Sequence, residues 1–491
     1  MKTMRKWLCV LLSAALLFSL AACGGKNTAT TTEPQTSEED DTDTKPDGTT
    51  FATTEPGTEN PGGQPPEGGP GGQPPEGGPG GPGGGGADIT YSGTTEITSA
   101  DTQNGMTYTS TTADENALLI AADDDVTVID PTVTKTGDSN GGDSCNFYGL
   151  NAAVLVKDGS TTTITGGTIT SGASGANGVF CYGGNGGRNG AAGDGTTVII
   201  RDTVINTTGS GSGGIMTTGG GTTRAYNLTV TTSGQSSAPI RTDRGGGTVT
   251  VEGGTYTSNG LGSPAIYSTA EISVTGAELI SNLSEGVCIE GLNSVTLTDC
   301  DLTADNTRCN SNAQFLDSVM IYQSMSGDAS SGTGRFTMTG GSLTSKSGHA
   351  FHVTNTSAVI TLRGVKIVNE DSANVLLSVC SDGWNGGANA ATLKACAQEL
   401  SGAILVGDDS SLTLELTEGS SFTGHIDGRI TNASGTSVST DVGTVSVTLD
   451  GTSTWTLDGD SYVTEFHGDA SCVITNGYTL YVNGTALSGT N

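Results

Sequence analysis

Aromatic residues make up only 5% of this 491-residue chain and charged residues 14%, and bases are scarcer still, at 19 Lys or Arg against 51 Asp or Glu. The resulting formal charge of −32 repels a phosphate backbone and excludes nucleic acid as a partner. No segment keeps a helical period over a useful length, which excludes a helical bundle or coiled coil. The four histidines, His349, His352, His425 and His467, lack a zinc-ligand spacing, and His349 and His352, at i and i+3, are not expected to share a strand face. What the chain has in abundance is glycine, 78 residues, together with β-branched side chains, a mixture that favours short strands and turns.

The first residues address the chain to a compartment. Lys2, Arg5 and Lys6 precede the apolar run Leu8 to Leu20, too short for a membrane span and read as a signal peptide over residues 1–22. The run ends Leu20-Ala21-Ala22-Cys23-Gly24, which resembles the lipobox of bacterial lipoproteins. That resemblance implies cleavage before Cys23, diacylation of its sulfur, and a protein held by lipid on the outer face of a bacterial cell membrane. Residues 23–87 hold eleven of the 14 prolines, and Gly62–Pro70 repeats directly as Gly71–Pro79. With almost no apolar side chain to bury, this stretch is expected to be a disordered linker that holds a domain clear of the membrane.

From residue 88 to 491 the chain reads as one repeated unit. An inward apolar residue is expected at Val154, Val179, Ile215, Ile240, Ile266, Ile289, Ile321, Phe351, Leu376 and Ile404, returning every 23 to 36 residues. A second element, Thr163–Thr170 (TITGGTIT), carries apolar residues five apart, as in Ile164/Ile169, Val274/Leu279 and Met338/Leu343. An odd spacing puts two side chains on opposite faces of a straight strand, so both can enter one core only if the chain bends between them, at small residues such as Gly166-Gly167. Three short strands per coil, bent at small residues, predict an all-β fold: a single-stranded parallel β-helix of about a dozen coils.

The segments Tyr148–Val156 (YGLNAAVLV), Ile240–Gly247 (IRTDRGGG), Ser263–Ala270 (SPAIYSTA) and Val319–Gly327 (VMIYQSMSG) resemble those of secreted adhesin-like or carbohydrate-binding proteins of Gram-positive bacteria. The resemblance covers residues 90–491 and implies the right-handed β-helix of the pectate-lyase superfold. Fold-level analogy of this kind says little about activity.

Candidate ligand-binding residues come from the face of the first strand that points away from the core. One outward column is expected to run through Arg241, Tyr267, Glu290, Tyr322 and His352, and a second through Tyr182 and Asp243. Insertions at 183–195, 325–334 and 381–389, the last carrying Trp384, are expected to rise beside this face and wall a groove. Aromatic faces beside hydrogen-bonding groups suit a polysaccharide or other glycan, whose C–H faces stack on rings. The same column also reads as a ladder that merely staples neighbouring coils. Catalysis is the third alternative. Asp243 and Glu290, expected in adjacent columns two coils apart, are placed about 11–12 Å from each other, wider than the about 6.5–9.5 Å of an inverting glycosidase pair. That separation disfavours an enzyme and singles out no catalytic residue; a lyase or hydrolase of this fold and a passive surface stalk stand as alternatives to glycan binding.

Acid groups at Asp123-Asp124-Asp125, Asp408-Asp409 and Asp458/Asp460 fall in turns, where Asp is favoured in any case; no cofactor is expected, and Ca²⁺ has only this thin support. Once Cys9 leaves with the signal and Cys23 takes lipid, eight cysteines remain. Cys300/Cys309 and Cys380/Cys396 are spaced to close a disulfide within or beside one coil, while Cys288 suits a small core position.

Overall fold

A computed structural model describes residues 89–186, 192–383 and 387–491. The signal peptide, lipobox and linker expectations and Trp384 lie outside the described residues. Among those described, no helix is long and apolar enough to cross a membrane.

The described chain winds as a parallel β-helix. One sheet contains thirteen strands, from Gly93–Ile97 to Ile426–Asp427, each hydrogen-bonded in parallel to the corresponding strand of the next coil. At about 4.8 Å per coil this sheet is about 58 Å long. The other strands of each coil form two further parallel stacks: Val154–Lys157 is followed by Thr161–Thr165 and then Thr168–Ser171, and the next coil repeats the order with Val179–Tyr182, Thr197–Arg201 and Val204–Thr207. Register is in step across coils, so Val128, Ile164, Ile200, Ala225 and Val251 form one buried ladder, and Val133, Ile169, Ile205, Val230 and Tyr256 another. Threonines stack on the outside, as in Thr161, Thr197, Thr222 and Thr248.

The bend that lets both apolar positions enter the core is a column of left-handed residues. In successive coils it is occupied by Gly105, Asp130, Gly166, Asp202, Asn227 and Gly253, then Gly276, Asp299, Gly340, Gly364, Ala397 and Glu418, with φ between 46° and 70°. Gly, Asn and Asp tolerate this conformation at least cost, which accounts for ten of the twelve. Towards the C-terminus the core takes larger rings: Phe336 meets Phe351 at 5.8 Å, and Trp455 stacks on Phe422 at 5.6 Å while its indole N–H donates to the Gly424 carbonyl at 3.0 Å.

Candidate functional site

The inward ladder of the thirteen-stranded sheet runs Val154, Val179, Ile215, Ile240 and Ile266, then Val287, Val319, Phe351, Leu377 and Ile404. Ile289, Ile321 and Leu376 are therefore not its members, contrary to the sequence expectation. Val287-Cys288-Ile289 and Val319-Met320-Ile321 each offer two inward positions two residues apart, and a period of two cannot choose between them. Leu376 is displaced by an irregularity between Val375 and Leu377.

The shift relocates two candidate residues. Cys288 and Met320 stand in the first outward column between Tyr267 and His352, while Glu290 and Tyr322 pair with each other two residues further along the strand. Asp243 and Glu290 thus share a column two coils apart, with backbones separated by about 9.6 Å along the axis rather than the 11–12 Å first expected.

The outward face is also not an open groove. At its N-terminal end a one-and-a-half-turn helix, Asp143–Tyr148, lays Phe147 and Tyr148 over Leu155, Phe180, Tyr182 and Met216. Tyr182 is edge-on to Tyr148 at 5.7 Å and buried. At the C-terminal end the hairpin of Ile430–Thr431 and Ser437–Ser439 covers Leu405, and Ile430 packs with Phe315 and Cys380. In the middle, Met325 closes over Cys288, Met320 and Tyr322. The insertion after Tyr322 lies across the sheet instead of rising beside it. Glu290, Tyr322, His352 and Asp243 are consequently buried, the Arg241 side chain is only 11% exposed, and Tyr267 is partly buried.

Between the apolar covers lies a band of charged and hydroxyl groups. Arg241 donates from Nη2 to Asp243 Oδ2 at 2.8 Å and from Nη1 to the Ser236 carbonyl at 3.0 Å. Arg244 donates from Nε and Nη2 to Asp328 Oδ1 at 3.0 and 2.6 Å, with its guanidinium 4.1 Å from the centre of the Phe147 ring. Glu290 is held by three hydroxyls: Tyr267 at 2.6 Å and Tyr322 at 3.3 Å on Oε2, and Ser324 on Oε1. Burial pushes the Asp243 carboxyl up to about 7, with Arg241 opposing and Asp328 adding to the shift. Burial likewise raises Glu290, against the hydroxyls that solvate its charged form. Each carboxylate is engaged by its own neighbours.

His352 belongs to a separate buried cluster. Its Nε2 lies 2.9 Å from Asp382 Oδ1, its Nδ1 lies 2.8 Å from Ser378 Oγ, and His349 Nδ1 reaches the same Oγ at 2.7 Å. The two histidines therefore converge, contrary to expectation, because His349 opens its strand directly after Gly348 at φ 76°. With Asp382 ionised and His352 neutral, the arrangement has His352 Nε2–H donating to Asp382, Ser378 donating to His352 Nδ1 and His349 Nδ1–H donating to Ser378. Burial and the neighbouring His352 push His349 down to about 3, which keeps it neutral. The connectivity is that of a Ser–His–Asp relay. All three side chains are sealed from water, with Phe315 4.6 Å from the His352 ring and Gln314 bonded to Asp382. Nothing in the sequence period pointed to Ser378 or Asp382; both were legible only as polar residues near an insertion.

All eight cysteines of the described chain are thiols, so neither Cys300/Cys309 nor Cys380/Cys396 forms a disulfide. Cys300 donates to the Val274 carbonyl of the preceding coil, whereas Cys309 lies in a loop against the Phe315 carbonyl. Cys380 packs against Phe315 and Ile430, and Cys396 accepts from the Thr417 hydroxyl. Among the described residues no group of three or more His, Cys, Asp or Glu side chains is gathered closely enough to hold a metal ion.

Comparison with protein-family models, with curated proteins and with solved structures found no match to this chain.

Proposed function

We propose that this chain is a lipid-anchored surface β-helix that binds a glycan without cleaving it, at the polar break in the cover of its long sheet. The observation that carries the reading is the change in character of that face. It is apolar and closed at both ends, yet in the middle it carries two arginines and a tyrosine among carboxylates, reaching solvent through the Arg244 side chain, 33% exposed, and its partner Asp328, 16% exposed, with Arg241 at 11% beneath them. Guanidinium and carboxylate groups beside the Tyr267 ring supply the hydrogen bonds and the stacking surface that a sugar requires. Membrane attachment rests on the lipobox-like sequence at Cys23.

A glycan array and a product-release assay on the wild type and on an Arg241→Ala/Tyr267→Ala variant test this. Binding that the variant loses, with no shortened or unsaturated sugar released, upholds the reading. Product from the wild type replaces it with a lyase or hydrolase. The cover over most of the face favours a second reading, a passive surface stalk, which silence against every glycan would establish.

A further inference from the structure

The outward column that begins under the cover does not end there. After Leu405 it passes to Asp427. The strand Ile426–Asp427 is followed in space by Ser461–Val463, whose Ser461 Oγ accepts from the Ile426 N–H at 3.2 Å. That strand pairs in parallel with Leu480–Val482, setting Tyr462 directly beside Tyr481. Their rings are 5.2 Å apart and within 8° of coplanar orientation. Here the cover has stopped: Tyr462 is 37% exposed and Tyr478, in the turn before Leu480–Val482, 43%. In a chain this poor in aromatics, exposed rings gathered in the last coils are not what core packing alone produces.

The surroundings suit a polar ligand with one apolar face. Arg429, its side chain 76% exposed, donates to Asp427 and lies within electrostatic reach of Tyr462. Beyond Tyr481 the paired position is Ala486, a methyl group that leaves the stack without a third ring. The strand carrying Ala486 runs antiparallel and closes the sheet edge, which opposes end-to-end addition of a second copy. A second copy would also bring its own 32 negative charges to a surface that already holds Asp427, Asp458 and Asp460. The same charge opposes an anionic sugar.

We propose that the Tyr462–Tyr481 stack is a second carbohydrate-binding surface, taking the C–H face of a neutral pyranose, with Arg429 and Asp427 as partners for its hydroxyls. It lies at the end of the solenoid opposite the first coil. The surface is separate from the break at Arg241, and either assignment can fail without the other.

The test is affinity electrophoresis of the full-length protein through gels containing hydroxyethylcellulose, xyloglucan or galactomannan, with polygalacturonate as the anionic probe. Wild type and Tyr462→Phe/Tyr481→Phe are expected to be retarded alike by at least one neutral polymer. Tyr462→Ala/Tyr481→Ala is expected to lose about tenfold or more in affinity, with its melting temperature as the check on folding. Retardation of the Ala pair equal to wild type, retardation by polygalacturonate alone, or no retardation of wild type in any gel overturns the proposal. Loss in Arg241→Ala/Tyr267→Ala with the tyrosine variant unaffected would uphold the central site and remove this one.

Discussion

Arg244 and Asp328 stand 84 residues apart in the chain, yet two guanidinium nitrogens of the first converge on a single carboxylate oxygen of the second. This contact ties the segment after Tyr322 back across the face to the end of an earlier strand. Replacing either residue with Ala is expected to cost about 1–2 kcal/mol in chemical denaturation, because the pair is only partly shielded from water. Amide exchange in residues 325–332 should quicken while the coils beneath keep their protection. A double-mutant cycle with no coupling would show that the contact does not hold the segment.

The raised carboxyls set a pH dependence whose sign can be worked out. Asp243 titrates near ~3.9 when unfolded and at about 7 when folded, so its stabilisation is complete below the first value and is lost as pH rises through the second. His349, pushed down to about 3, acts oppositely, losing stability as pH falls below its unfolded value of ~6.5. The two oppose each other in acid, which leaves pH 6.5 to 8.5 as the diagnostic window. There, Asp243 is expected to lower stability with rising pH by about 1 kcal/mol, offset in part by the unfolded-state titration of His349 at the acid edge. Calorimetry at fixed ionic strength should show this decline in the wild type and a flatter profile in Asp243→Asn.

Ala397 occupies the left-handed bend column at φ 49°, a position filled by glycine in both preceding coils, at Gly340 and Gly364. Ala397→Gly is expected to stabilise the protein by about 0.5–1 kcal/mol, the steric relief exceeding the added backbone entropy. A urea midpoint that falls would contradict the bend assignment.

The Ser378–His352–Asp382 relay is expected to be structural. Asp382→Ala should cost about 3 kcal/mol or more, since it strips a buried donor of its acceptor. The native wild type should remain unlabelled by a serine-reactive fluorophosphonate. Labelling at Ser378 would show that the cover opens and would give the relay a chemical role.

How far the sequence could be read depended on periodicity. The bend was visible in Gly166-Gly167 and the odd spacing of Ile164 and Ile169, because steric rules leave few ways to turn a strand inward. The ladder failed at Ile289 and Ile321, where apolar residues alternate past the strand start and register is decided by neighbouring coils. The cover was invisible. Phe147, Phe315, Met325 and Ile430 lie in aperiodic stretches, and only their distant partners reveal that they are buried. That is why Glu290, Tyr322 and His352 look like surface groups in the sequence, while the rings that do reach solvent, Tyr462 and Tyr478, fall outside the periodic pattern.

The covering segments also impose an order of events on assembly. Coils stack on their immediate neighbours and can form in sequence as the chain emerges. The helix bearing Phe147 is made early and needs only the coil of Thr218, 71 residues on, to dock. The hairpin near the C-terminus is made late, and its Asn432 must find Gln314 across 118 residues. Until it does, Leu405, Phe315 and Cys380 remain uncovered on the coils already stacked beneath it. The nascent protein is therefore most prone to aggregate when nearly all of its length has been threaded out, and chains truncated before residue 430 should accumulate in that adhesive state.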